Sequence, residues 1–328
     1  MLASGRLRVF ALLLVSASQL AIGPQKRLYR LALVIDERPV RVQPQEQGLR
    51  DGLEELGYTR GQNLAIDWIH GPEPERLRSA VSAYLAGHRA DLLVTMGTLE
   101  TKAALSSTST VPILFVPAAN PVLSGLVKSL ASPGANATGL AFFTGPENVV
   151  KQIEVFKHVA PDMRRTLALS DVRDPASARI VDRIRLMVPR LGVELVHRPI
   201  EAMASAVAAV DALPRREHGW SVFTICSGLF KDLRALAAAA LKQRRPFFGC
   251  NAFQVAEQDV FLSYAPDLYS IGYRAAWFAD QIFRGTKPGS LSVERPARFD
   301  LSVNRRIASA IGLKIAPEVL MLADRVFD

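Results

Sequence analysis

Apolar runs alternate with amphipathic stretches along almost the whole chain. Residues 31–35, 92–96 and 113–116 are too continuously apolar for strands with one wet face, which predicts parallel strands buried on both faces of a sheet. Residues 63–68 alternate apolar and polar positions and predict another strand. Between them, residues 44–56 carry Leu49, Leu53 and Leu56 at helical spacing with Gly57 as a stop, and residues 74–87 carry Leu77, Val81 and Leu85 on one face. A short helix is expected after Gly97-Thr98 and a second one starting at Asn120-Pro121. Strand, helix, strand, helix with short connections implies parallel crossovers.

The rhythm then recurs. Helices over residues 147–158, 176–191, 202–213 and 231–243 alternate with strands over 165–170, 194–198, 221–225 and 245–249, followed by a short strand over 260–264. A helix over 269–283, a strand over 298–303 and a helical tail over 304–327 complete the chain. The expected fold class is α/β, with two doubly wound three-layer lobes and a ligand cleft between them. Segments 140–145 and 265–268 are the candidate hinges. This division assigns residues 28–143 plus 266–290 to lobe one and 144–265 plus 291–328 to lobe two.

The amino terminus changes the picture of where such a protein works. Arg6 and Arg8 precede an apolar run over residues 9–15 and then small residues, the pattern of a signal peptide over residues 1–23. The run is too short for a comfortable membrane span of ~20 residues. An exported, periplasmic protein is expected, and in that oxidising setting Cys226 and Cys250 either form a disulfide or remain as two buried or cleft-lining thiols. The formal charge of +9 is spread in pairs such as Arg164-Arg165 and Arg244-Arg245, which reads as a solvated surface and not as a nucleic-acid groove. No GxSxG elbow, GxGxxG turn, HExxH pair or clustered histidines occur, so neither an enzyme of those classes nor a cofactor or metal is expected.

Ligands of open α/β sheets sit where loops leave the carboxyl ends of strands. Asp36, Gly97, Thr98, Asn120, Pro121, Ser170, Asp171, Cys226, Ser227, Asn251 and Phe253 occupy such positions. Gly97-Thr98 opens a helix, where backbone amides and a hydroxyl can meet a carboxylate; an ordinary turn with a cap is the alternative. Phe142, Phe143, Phe253 and Tyr264 offer rings to an apolar or aromatic ligand, or pack in the core near the hinge.

Several phrases resemble one family. They are residues 47–58 with Gly61-Gln62-Asn63-Leu64, Val111-Pro112-Ile113, Asn120-Pro121-Val122 with Ser124-Gly125-Leu126-Val127, residues 132–139, and Ile311-Gly312-Leu313 with Pro317 and Ala323-Asp324. Their order along residues 31–328 resembles the ABC transporter substrate-binding proteins related to the tryptophan- and tyrosine-binding proteins. The resemblance implies a type 1 periplasmic binding fold with three connecting segments. It also implies a monomer that captures a small solute by lobe closure and delivers it to an ABC permease with its ATPase. In that family a Gly-Thr at the position of Gly97-Thr98 belongs to the ligand cleft. Asp often precedes the proline at Pro121, where this chain has Asn120, so an acid that could meet an amino group is absent there. The expected ligand is an amino acid, an aromatic compound or a related carboxylate. An exported α/β enzyme and a sensory module for a membrane receptor are the competing readings.

Overall fold

A computed structural model describes residues 27–36, 42–143 and 145–328, so the expected leader over residues 1–23 lies outside them. The first series is β1 (Tyr29–Ile35), α1 (Pro44–Glu55), β2 (Leu64–His70), α2 (Pro74–Gly87), β3 (Leu92–Thr95), α3 (Thr98–Ser107), β4 (Ile113–Ala118) and β5 (Ala137–Ala141). Its five strands form a parallel sheet in the order β2-β1-β3-β4-β5. The continuous apolar runs are wet on neither face. Leu31, Leu33, Leu92 and Val94 meet Leu49 and Leu53 of α1 on one side, while Ala32, Val34 and Leu93 meet Leu77 and Val81 of α2 and Ala103 and Ala104 of α3 on the other.

The second series is α4 (Pro146–Val159), β6 (Arg165–Asp171), α5 (Pro175–Met187), β7 (Glu194–Ile200), α6 (Met203–Asp211), β8 (Trp220–Thr224), α7 (Arg234–Lys242), β9 (Phe247–Gly249), α8 (Ala252–Glu257) and β10 (Leu262–Pro266). After it come α9 (Leu268–Phe283), β11 (Phe299–Asn304), α10 (Arg305–Ile311), α11 (Pro317–Leu322) and β12 (Arg325–Phe327). The second sheet runs β12-β11-β10-β9-β8-β6-β7. Side chains again divide by parity. Ala168 and Phe223 face Ile153, Phe156 and Ile184, whereas Leu167, Leu169 and Val222 face Val210 and Leu236. The molecule is thus two three-layer α/β lobes, as the alternation predicts.

Helix α9 belongs with the first sheet although it follows the last parallel strand of the second. Its Ile271, Ala275, Phe278 and Ile282 pack into the core that holds Leu49 and Leu53. The approach to α1 is close: a Cβ on Gly272 would stand 1.9 Å from the Gln45 carbonyl oxygen, and one on Gly48 would stand 2.1 Å from that of Tyr269. Buried Tyr58 donates to the Asp280 carboxylate at 2.8 Å and ties α9 to the end of α1. After α9 the chain stays on this side through Glu294, whose N–H donates to Gly139 O at 3.1 Å, before returning to the second sheet at β11.

Two expectations need correction, and two strands add what was not expected. No helix starts at Asn120-Pro121; residues 121–125 form turns, with Ser124 N–H donating to Asn120 O and Leu126 N–H to Pro121 O, each at 2.8 Å. Asn120 itself is left-handed, with φ 46°, a conformation in which it cannot begin a helix. Strand β5 was not expected, because Ala137-Thr138-Gly139 is too small and polar to read as a strand; the small residues serve close approach, since a Cβ on Gly139 would lie 2.2 Å from Phe115 O. Strand β11 pairs antiparallel with β10. The chain leaves β10 at the end nearest the first lobe, visits that lobe as α9, and re-enters from the same end, so β11 must run backwards. Finally, the tail is two short helices and the edge strand β12, not one helical segment.

Because the atom facing Gly272 is backbone and cannot rotate away, Gly272→Ala is expected to cost about 1–3 kcal/mol through overpacking. Urea denaturation checks this, and an unchanged midpoint would count against the α1–α9 contact.

Candidate functional site

The carboxyl ends of the two sheets face one another across a cavity of about 670 Å³. Lobe one contributes Asp36 after β1, Met96 through Glu100 after β3, Ala119 after β4 and Phe142 after β5. Lobe two contributes Asp171 at the end of β6, Cys226, Ser227 and Gly228 after β8, Lys231, and Asn251 and Phe253 beyond β9. This is the carboxyl-end placement that parallel sheets dictate, met twice.

Gly97 caps α3 without a side chain, and Thr101 Oγ donates back to Gly97 O at 2.6 Å. The Thr98 hydroxyl accepts from Ala119 N–H at 3.0 Å and so braces the β3 loop against the β4 loop. Glu100 lies in the first turn of α3, only 3% exposed, and folds back over Gly97; a Cβ there would stand 2.3 Å from its Oε2. The positive end of α3 therefore already faces a carboxylate of the chain itself. Gly97 and Thr98 remain on the wall, with both groups engaged internally.

Lys231 answers that carboxylate from the opposite lobe. Its Nζ lies 3.0 Å from Glu100 Oε1 and also pairs with Asp36. Burial works against the ammonium charge, but Glu100 and Asp36 outweigh it and hold the pKa above the ordinary lysine value. Two buried glutamines fix the segment that carries it. Gln254 Nε2 donates to Phe230 O at 2.7 Å and its Oε1 accepts from Cys250 N–H at 2.7 Å, while Gln258 Nε2 donates to Lys231 O at 3.0 Å and its Oε1 accepts from Leu233 N–H at 2.8 Å. Cys226 and Cys250 are joined as a disulfide, with Cα atoms 5.6 Å apart, which binds the same segment to the β9 loop.

The remaining sequence-chosen residues divide. Asp171 is buried and fully engaged, accepting from Arg173 N–H and Nε at 2.9 Å and from Nη2 at 3.0 Å; Ser227 Oγ lies 3.4 Å from it. Asn251 caps α8 by accepting from Gln254 N–H at 3.0 Å, and Phe253 beside it is exposed toward the cavity. Asn120, Pro121, Phe143, Ser170 and Tyr264 do not line the cavity. Asn120 is buried behind the wall, its N–H donating to Phe143 O at 2.8 Å. Phe143 and Tyr264 pack on Phe299, with ring centroids 6.1 and 5.5 Å away, and form an aromatic column where the chain crosses between lobes. Ser170 is buried with its hydroxyl 2.8 Å from His197 Nε2.

Sequence reasoning missed Lys231 and Glu100. The signal for Glu100 was its place three residues after a capping glycine, where an acid folds back onto a helix end. Lys231 sits beside Asp232 and Arg234, and nothing in that charge run marks which member reaches across the cleft.

With this geometry in view, comparison with known proteins is decisive. Residues 34–327 match the model of the family described as ABC transporter substrate binding protein. The chain belongs to that family. A relative named tyrosine-binding protein, from Clostridioides difficile (strain R20291), is 21% identical over 269 residues, covering 82% of this chain and 76% of the relative. Among solved structures, a conserved domain protein from Vibrio cholerae is 26% identical with a TM-score of 0.81, covering 92% of this chain and 99% of that one. A Streptococcus pneumonia ABC domain in complex with L-Trp is 20% identical with a TM-score of 0.82, covering 92% and 100%. These likenesses match the fold of this substrate-binding protein over nearly its whole described length.

Two outcomes follow for this substrate-binding protein. Replacing both Cys226 and Cys250 by Ser frees a segment of 24 residues in the unfolded chain and should cost lobe two about 3 kcal/mol, read from denaturation under oxidising conditions. His197 is held below its ordinary pKa, mainly by burial and further by the charge of Arg185. The unfolded chain then takes up that proton first as pH falls. Stability is complete above the ordinary value of ~6.5 and declines toward the folded pKa, and His197→Gln should flatten that decline in urea midpoints measured across this range.

Proposed function

We propose that this protein is the exported solute-binding component of an ABC importer, and that it captures a small organic ligand with an amino group and an apolar or aromatic body. The observation that carries the reading is the cavity between the carboxyl ends of two sheets, whose wall holds Phe142, Phe253 and the part-exposed carboxylate of Asp36. Its volume of about 670 Å³ falls within the range of small-molecule sites. Rings supply apolar area, and with Asp171 held by Arg173 and Glu100 by Lys231 it is the part-exposed carboxylate of Asp36 that can favour a cationic group, which fits an amino acid of the aromatic class. The tyrosine-binding relative and the neighbour crystallised with L-Trp point the same way.

The fold explains how capture proceeds. Each lobe contributes half of the wall, so rotation about the crossings at residues 142–143, 266–268 and 295–298 encloses the ligand and separation releases it. Family membership supports delivery to a membrane permease, and the leader-like terminus supports a periplasmic site. Among the described residues, no helix is long and apolar enough to cross a membrane.

Thermal-shift titration and calorimetry with L-tryptophan, L-tyrosine and phenylalanine, set beside indole-3-acetate and phenylpropionate, test the ligand class. Stabilisation by the amino acids should grow with concentration, reaching about 2.7 kcal/mol at a hundredfold excess over Kd. Equal binding of the acids that lack the amino group would refute the cationic requirement. Silence across the whole panel would refute the aromatic amino-acid reading.

A further inference from the structure

Lys231 leaves a segment that is fixed at three points: by the disulfide at Cys226, by the Gln254 amide on Phe230 O and by the Gln258 amide on Lys231 O. Its side chain then crosses from lobe two to lobe one. There it meets Glu100 Oε1 at 3.0 Å and Asp36. Both acceptors stand on lobe one, so nothing of this contact survives when the lobes separate.

Solvation sets the sign of its effect. With the lobes apart, the ammonium and both carboxylates face the water of the opened cleft and are hydrated separately. With the lobes together, Glu100 is 3% exposed and depends on the ammonium as its counter-charge across the cleft. A contact made in only one of two states biases their equilibrium by its own free energy. Glu100 is the buried member of the pair, Lys231 keeping 41% of its side chain exposed, and removing the counter-charge of a buried carboxylate harms the state that buries it more than removing both, because the remaining charge is left out of water without compensation. Two further contacts across the cleft among the described residues are weaker in kind. Arg179 Nη1 donates to Leu123 O at 3.3 Å at the exposed rim, and Leu99 stands beside Gly228 as an apolar neighbour.

We infer that Lys231 is the closure-determining residue: lobe two clasps Asp36 and Glu100 through it, and its loss shifts the protein toward the open form and weakens ligand capture. The first part stands on the geometry alone. The second rests on the reading of the cleft as an amino-acid site. The clasp is also distinct from ligand recognition in a checkable way, since it acts in the empty protein.

Small-angle X-ray scattering of the ligand-free full chain tests it on three proteins: the parent, Lys231→Gln, and Lys231→Gln with Glu100→Gln. Lys231→Gln should raise the radius of gyration, and the double variant should return part of the way, with unfolding midpoints that show each protein folded. Calorimetry with L-tryptophan should then give roughly tenfold weaker binding for Lys231→Gln and a smaller loss for the double variant. Identical scattering from the parent and Lys231→Gln overturns the clasp, as does a double variant more open than the single. Failure of the parent to bind L-tryptophan overturns the ligand reading instead, and the scattering still decides the clasp.

Discussion

The contact of α9 with α1 governs the architecture. Ile271, Ala275, Phe278 and Ile282 are buried against a core built mainly from α1, β1, β3 and β4, so the chain has to leave the second sheet after β10 and come back for β11. That excursion creates two of the three crossings between lobes and forces the antiparallel pairing at β11. Glycines at Gly48, Gly52 and Gly272 make the contact close enough for the helix to belong wholly to lobe one.

Most of the fold was legible because parallel strands buried on both faces leave long apolar runs, and residues 31–35, 92–96 and 113–116 carry them. β5 was not, since its job is to pass close to Phe115, and a small-residue strand has no hydrophobic period to detect. β12 is a three-residue edge held by backbone pairing to β11, which leaves no side-chain signature. The helix expected at Asn120-Pro121 failed because a favourable cap sequence does not guarantee helix: Ser124 and Leu126 turn the chain at once, with Asn120 in a left-handed conformation.

The candidate site was legible by position and less so by chemistry. The carboxyl-end rule brought Asp36, Gly97, Thr98, Asp171, Cys226, Ser227, Asn251 and Phe253 to one cavity. It could not say which of their polar groups are already taken. Thr98 braces Ala119, Asn251 caps α8 and Asp171 holds Arg173, so three residues chosen for their polar groups serve the wall itself. The residues that cross the cleft, Lys231 and Glu100, are conspicuous only once both lobes are placed. Pair interactions between distant segments leave no period and no motif in a single sequence.

The Cys226–Cys250 bond adds a condition of a different kind. It closes the β8 loop onto the β9 loop, and the carrier of Lys231 begins at one of its two sulfur atoms. In a reducing compartment those thiols stay apart, and the ligand-facing half of lobe two is left one tie short. Oxidation therefore adds the last covalent tie to that wall. The Gln254 and Gln258 amides hold the same segment in either state, so the sulfur pair is the one tie in this wall that answers to the redox state of the surroundings.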